Sequence, residues 1–84
     1  MKYTVLWVPG AEQRLAELWM DATDRDAITK ASHAIDQQLK TDPLNQGESR
    51  PRGRRVLFES PLGVLYRVEE QDMIVRVYHV WLFE

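Results

Sequence analysis

Residues 54–83 read RRVLFESPLGVLYRVEEQDMIVRVYHVWLF, and this stretch decides the fold. It holds three runs rich in β-branched and aromatic residues, broken at Pro61-Leu62-Gly63 and at Gln71-Asp72. That pattern predicts three strands, Arg54–Ser60, Val64–Glu70 and Met73–Phe83, joined as a meander. A three-residue loop at 61–63, with Gly63 left-handed, pairs Phe58 with Tyr66 and Val56 with Val68 on one face. The same register puts Leu57 opposite Arg67 and Arg55 opposite Glu69 on the other face. A tight turn at Gln71-Asp72 pairs Val68 with Val75 and Tyr66 with Val77 inside. Outside, it sets Arg67 directly opposite Arg76 and Leu65 opposite Tyr78. One face is then apolar and one polar, as in a sheet covered by helices on a single side.

Working back toward the N-terminus, residues 43–53 (PLNQGESRPRG) form a polar loop with two prolines and two glycines. Loops of this length in small domains are often functional. Before it, Ile28, Ala31, Ile35 and Leu39 fall on one helical stripe. Thr23 is the expected N-cap, Lys40 lies in the last turn, and Asp42-Pro43 is the stop. Ala11, Leu15, Leu18 and Ala22 mark an earlier helix, after a strand from Lys2 to Val8 that Pro9-Gly10 ends. The predicted architecture is α+β in the order β-α-α-β-β-β. A helical hairpin packs on one face of a small, mainly antiparallel sheet, and one domain spans residues 1–84.

Composition narrows the function. The chain has no cysteine, which removes disulfides and thiolate chemistry, and its two histidines lie far apart, so neither a built-in metal site nor a cofactor is expected. No apolar run approaches the roughly 20 residues of a membrane span, and the expected location is the cytoplasm, with no membrane partner. Net charge is −2, but it is unevenly spread. Residues 1–48 carry net −3 and residues 49–84 net +1, and between 50 and 67 five arginines face a single glutamate. Every basic residue of the second half is arginine, whose planar fork suits phosphate or carboxylate.

Element order and size, with an opening YTVLWVPGAEQRLAELW, a GESR segment at 47–50, a strand RVLFE and an ending VRVYHVW, resemble the RelE/ParE toxin superfamily over essentially the whole chain. The resemblance implies the toxin of a type II toxin–antitoxin pair, neutralised by a cognate antitoxin that wraps it. One branch of that superfamily cleaves mRNA on the ribosome and another poisons DNA gyrase. A relative without activity that mainly binds its antitoxin is a third reading, and fold membership does not choose among them.

RNA cleavage by 2′-hydroxyl attack needs a base, an acid, and positive charge at the phosphorane, and no metal. Arg67 and Arg76 form the sharpest signal. Like charges directly opposite on neighbouring strands repel, and an anion between them reverses the sign. The alternative is a surface charge ladder pairing with Glu59 or Glu69. Arg67 and Arg76 also match arginines that the resemblance places on the corresponding strands. Arg50, Arg52, Arg54 and Arg55 form a basic edge for phosphate positioning, with Arg55 on the open face and Arg54 off it. Glu59 is a candidate base on the open face, or else a counter-ion. Tyr78 can stack on a base or donate a proton, or pack on Leu65. His79 matches the family's Tyr-His pair, yet strict alternation turns it inward with Val75, Val77 and Trp81. A bulge would turn it out. Trp81, Leu82 and Phe83, if exposed, suit an antitoxin segment.

Overall fold

The computed structural model describes residues 2–83. Strand β1 (Thr4–Trp7) leads into helix α1 (Pro9–Asp21) and helix α2 (Arg25–Thr41). Strands β2 (Glu48–Arg50), β3 (Arg54–Glu59), β4 (Leu62–Glu69) and β5 (Ile74–Leu82) follow. They form one mixed sheet in the order β1-β5-β4-β3-β2, with β1 parallel to β5 and the other pairs antiparallel. The predicted α+β architecture therefore stands, with β2 as an additional edge strand inside the expected loop.

Local chemistry explains the helix boundaries. Pro9 opens α1 at its first turn, where the missing N–H costs no intrahelical bond. The N-cap of α2 is Asp24 rather than Thr23, and its carboxylate accepts from the Ala27 amide at 3.1 Å. Arg25 clasps the hairpin, lying 4.6 Å over the Trp19 ring and donating to the carbonyls of Trp19 and Met20.

Leu18, Ile28, Ala31, Ile35 and Leu39 of the helices meet Leu57, Leu62, Val64, Tyr66, Val75, Val77 and Val80 of the sheet in one core. Val5 and Trp7 of β1, and Tyr3 just before it, pack against this core.

The β4–β5 register is the expected one from Glu69↔Ile74 to Tyr66↔Val77, with Arg67 opposite Arg76. Beyond it the ladder slips, and Leu65 faces His79 while Tyr78 is the extra residue of a bulge. The β3–β4 register differs from expectation. The turn is Ser60-Pro61, so Leu62 already pairs with Glu59, Val64 with Leu57 and Leu65 with Val56. An odd shift turns every β3 side chain to the opposite face. Arg55, Leu57 and Glu59 thus lie on the helix side, and Arg54, Val56 and Phe58 on the open side. The physical reason is the run Val56-Leu57-Phe58. Three consecutive apolar residues carry no alternation, and burial of Leu57 and Leu62 in the core outweighs that of Phe58, which is 44% exposed.

Candidate functional site: an arginine row on the open face

The open face is organised by one rung of the sheet. Arg50 is directly opposite Arg54, Arg54 opposite Arg67, and Arg67 opposite Arg76. Four guanidinium side chains thus start from one line across four strands, about 5 Å apart strand to strand. The row extends the two arginines expected from the sequence, and it includes Arg54, which the predicted register turned away. The missed signal is the sequence Arg50-Pro51-Arg52-Gly53-Arg54. A Pro-x-Gly turn brings its two flanking arginines opposite one another.

Like charges directly opposite destabilise a sheet, so counter-ions matter. Glu69 takes Arg76, with its Oε2 2.6 Å from Nε, and Glu48 takes Arg50 at 3.3 Å. The Glu69 bond, the largest cause, raises the Arg76 pKa above the ordinary guanidinium value. Arg54 spends its Nε on the Pro51 carbonyl at 3.0 Å. Among the described residues, no carboxylate lies within 4.0 Å of Arg54 or Arg67. The middle of the row therefore holds two guanidinium groups without an acidic partner.

The next rung contains Leu65, Tyr78 and His79. Without the bulge, alternation from Val77 would carry His79 into the core. With Tyr78 inserted, Val80 returns to the core at 5% exposure and His79 is exposed on the open face. Arg54, Arg67, Leu65, Tyr78 and His79 line a shallow cleft of about 240 Å³. A cation pair thus borders a phenol and an imidazole.

One rung further, Trp81 lies over Gly63, where an added Cβ would come within 2.7–2.8 Å of the indole. Phe58 meets Trp81 edge-on, with centroids 6.1 Å apart, and Phe83 at 4.9 Å. Leu82 and Phe83 are 47% and 40% exposed, but Trp81 is half-buried and Leu82 lies on the helix side beside Leu62. The patch anticipated from Trp81, Leu82 and Phe83 is therefore split between the two faces, and the open face carries Phe58, Trp81 and Phe83 instead.

Two expected site residues lie elsewhere. Glu59 is on the helix side, where its Oε1 accepts from Gln38 Nε2 at 2.7 Å. Arg55 also points to that side and donates from Nε to Gln46 O at 2.9 Å and from Nη2 to Gly47 O at 3.3 Å. The buried Tyr66 hydroxyl is shared between the carbonyls of Pro43 (2.8 Å) and Gln46 (2.9 Å). Burial pushes the Tyr66 pKa up, against the opposing pull of Arg55. Arg55 and Tyr66 thus pin the 43–47 loop from which β2 and Arg50 start. Arg52 stands in the turn between β2 and β3 with φ 67°, outside the row.

No family model and no curated protein matches the sequence. Solved structures do. The toxin–antitoxin complex RelBE2 from Mycobacterium tuberculosis contains a chain that superposes with TM-score 0.82 at 20% identity, over 99% of this chain and 93% of that one. The chromosomal ParDE system from P. aeruginosa gives TM-score 0.73 at 15% identity, over 98% and 97% of the two chains. The isolated E. coli RelE toxin gives 0.70 at 14%, over 98% and 85%. Two helices on a mixed five-strand sheet, matched over nearly the whole length of proteins from both branches, identify the fold of this chain as that of the RelE/ParE toxins.

Proposed function

We propose that this protein is the toxin of a type II toxin–antitoxin pair and that it cleaves mRNA on the ribosome in the cytoplasm, without a metal. The reading rests on one observation: Arg54 and Arg67 stand side by side, among the described residues without carboxylate partners, facing Tyr78 and His79 across a cleft. A phosphodiester removes the repulsion within the row and accepts bidentate hydrogen bonds from its forks. Arg67 and Arg76 carry the charge that develops in the phosphorane. Arg50 and Arg54 position the flanking backbone, and Arg52, exposed in the adjoining turn, extends that contact. His79 supplies the proton to the leaving 5′ oxygen, with Tyr78 stacking beside it. The aromatic patch of Phe58, Trp81 and Phe83 takes an apolar segment of the cognate antitoxin.

The total charge of −2 favours a second reading, a ParE-type inhibitor of DNA gyrase, because ribosome-directed proteins rely on phosphate neutralisation. One experiment separates the two. The chain is expressed from an inducible promoter, cellular mRNA is mapped at its 5′ ends, and an Arg67→Ala/Arg76→Ala variant runs alongside. Growth arrest with new cuts in translated mRNA, lost in the double variant, is the expected result. Arrest with intact mRNA moves the assignment to gyrase. No arrest leaves a relative whose main partner is its antitoxin.

A further inference from the structure

The geometry points to a residue not yet given a part in the reaction, and we propose that Glu69 is the catalytic residue that accepts the 2′-hydroxyl proton. The inference rests on the mRNA-cleaving reading and goes one step into it. With Glu59 bonded to Gln38 behind the sheet, the open face needs another base. Two carboxylates meet the row on that face, Glu48 at 3.3 Å from Arg50 and Glu69 at 2.6 Å from Arg76. Glu48 shares the Val56–Leu65–His79 rung with the acid, and Glu69 lies on the opposite side of the row.

Its position matters more than its proximity. Along the β4–β5 ladder, successive open-face rungs are Glu69 with Ile74, Arg67 with Arg76, and Leu65 with His79, the last beside the bulged Tyr78. Rungs two residues apart are separated by about 7 Å along the strands. A carboxylate and an imidazole therefore flank a pair of guanidinium groups, one on each side. In-line displacement at phosphorus has that same layout. The attacking and leaving oxygens sit on opposite sides of the phosphoryl group, so base and acid must flank the charge clamp rather than share one side of it.

The step balances without a co-reactant. The 2′-hydroxyl gives its proton to the Glu69 carboxylate, and the 2′ oxygen bonds to phosphorus. The bond from phosphorus to the 5′ oxygen breaks, and that oxygen takes a proton from the His79 imidazolium. The products are a 2′,3′-cyclic phosphate and a 5′-hydroxyl end. Exchange with water then restores both side chains. Substrate binding also prepares the base. When a phosphate takes over the Arg76 fork, the ion pair that holds Glu69 is released and its lone pairs become available. The arrangement fixes strand polarity too. The nucleotide carrying the attacking hydroxyl lies over the Glu69–Ile74 rung, and the downstream nucleotide enters the cleft of about 240 Å³ beside His79.

The test uses the full chain with translating ribosomes, comparing wild type, Glu69→Gln, Glu69→Asp and His79→Ala. Three readouts are taken: cleavage rate, affinity for a complex with one 2′-deoxynucleotide at the cut, and cleavage of an mRNA with sulfur in place of the bridging 5′ oxygen. A thiolate leaves without a proton, so sulfur bypasses the acid and not the base. Glu69→Gln is expected to cleave about 10²–10³-fold more slowly, with affinity for the 2′-deoxy complex within about threefold of wild type. Sulfur should restore His79→Ala and leave Glu69→Gln impaired, and Glu69→Asp should recover part of the rate. Glu69→Gln cleaving at the wild-type rate, rescue of Glu69→Gln by sulfur, or a loss of affinity equal to the loss of rate each overturns the assignment while the nuclease reading stands. A thermal melt separates misfolding from these outcomes, and should Glu69→Gln unfold, a folded Glu69→Asp at full rate on oxygen and sulfur alike also overturns it. A wild-type chain that leaves ribosome-bound mRNA intact removes the nuclease reading itself.

Discussion

The two faces of the sheet use the same residue types for opposite ends. Arg55 and Arg54 are neighbours in sequence. Arg55 turns to the helix side and spends its guanidinium on the Gln46 and Gly47 carbonyls, while Arg54 turns to the open side and joins three other arginines. Glu59 and Glu69 divide in the same way, one held by Gln38 and the other by Arg76. On the covered side each polar group is matched to a neutral neighbour that fixes a loop or a helix. On the open side cations face cations, and the local arrangement is worse for stability than a mixed one. Like charges stacked on one face, beside a carefully satisfied other face, fit the proposed phosphate site, and substitutions should separate the two faces by their effects.

The largest effect should come from the open face. Arg67→Ala/Arg76→Ala is expected to lower mRNA cleavage at least about 10³-fold, as when a transition-state charge clamp is removed, with stability changed by no more than about 0.5 kcal/mol. Primer extension on translated mRNA together with a denaturant melt checks both. An equal loss of stability would erase the distinction between the faces. On the covered side, Gly47→Ala should destabilise by about 2–3 kcal/mol. Gly47 has φ +65°, and an added Cβ would sit 2.2 Å from the Val56 carbonyl oxygen, so β2 must lift. Urea unfolding reads the cost, and amide exchange at Arg55 and Val56 reads the lifted edge.

Tyr66→Phe is expected to cost about 1–2 kcal/mol, since two loop carbonyls lose a buried donor. It also carries a pH signature. The folded pKa of Tyr66 lies above its ordinary 10.0, so the unfolded chain releases the phenolic proton first. Stability from this group is complete below pH 10 and falls as the pH climbs toward the folded value, and the alkaline slope should shrink in Tyr66→Phe. Urea midpoints between pH 9 and 11, on the order of two pH units around the tyrosine range, measure it. The smallest effect belongs to Glu59→Gln. An amide can still accept from Gln38, so stability should move by less than about 0.5 kcal/mol and cleavage should not change. A 10²-fold fall in cleavage would return Glu59 to the site as its base.

How far the sequence reaches can be judged residue by residue. The Val68/Val75, Arg67/Arg76 and Tyr66/Val77 pairs followed from alternation on both sides of the Gln71-Asp72 turn, where apolar and polar positions are cleanly separated. The β3 register did not, because Val56-Leu57-Phe58 is apolar at every position and Pro61 fits a turn of either length. That shift moved Arg55 and Glu59 off the open face and brought Arg54 onto it. β2 stayed hidden because its three residues, Glu48, Ser49 and Arg50, are all exposed and have no apolar signature. The outward turn of His79 was visible only as an option, since a bulge depends on how Leu65, Tyr66 and Val80 pack and not on any residue at the bulge itself.

The extra residue at Tyr78 acts on the chain as a single inserted letter acts on a reading frame. Upstream of it, odd-numbered β5 positions face the helices. Downstream, even-numbered positions do, and Val80 rather than His79 enters the core. Everything after position 78 is in the opposite phase to a straight strand of the same length. Flattening the bulge with every residue kept would seal the histidine behind the sheet and set a valine and a leucine out in water, whereas deleting Tyr78 together with the bulge would leave His79 outward and Val80 in the core. Position-by-position alignment across a relative without the bulge would therefore pair core residues with site residues.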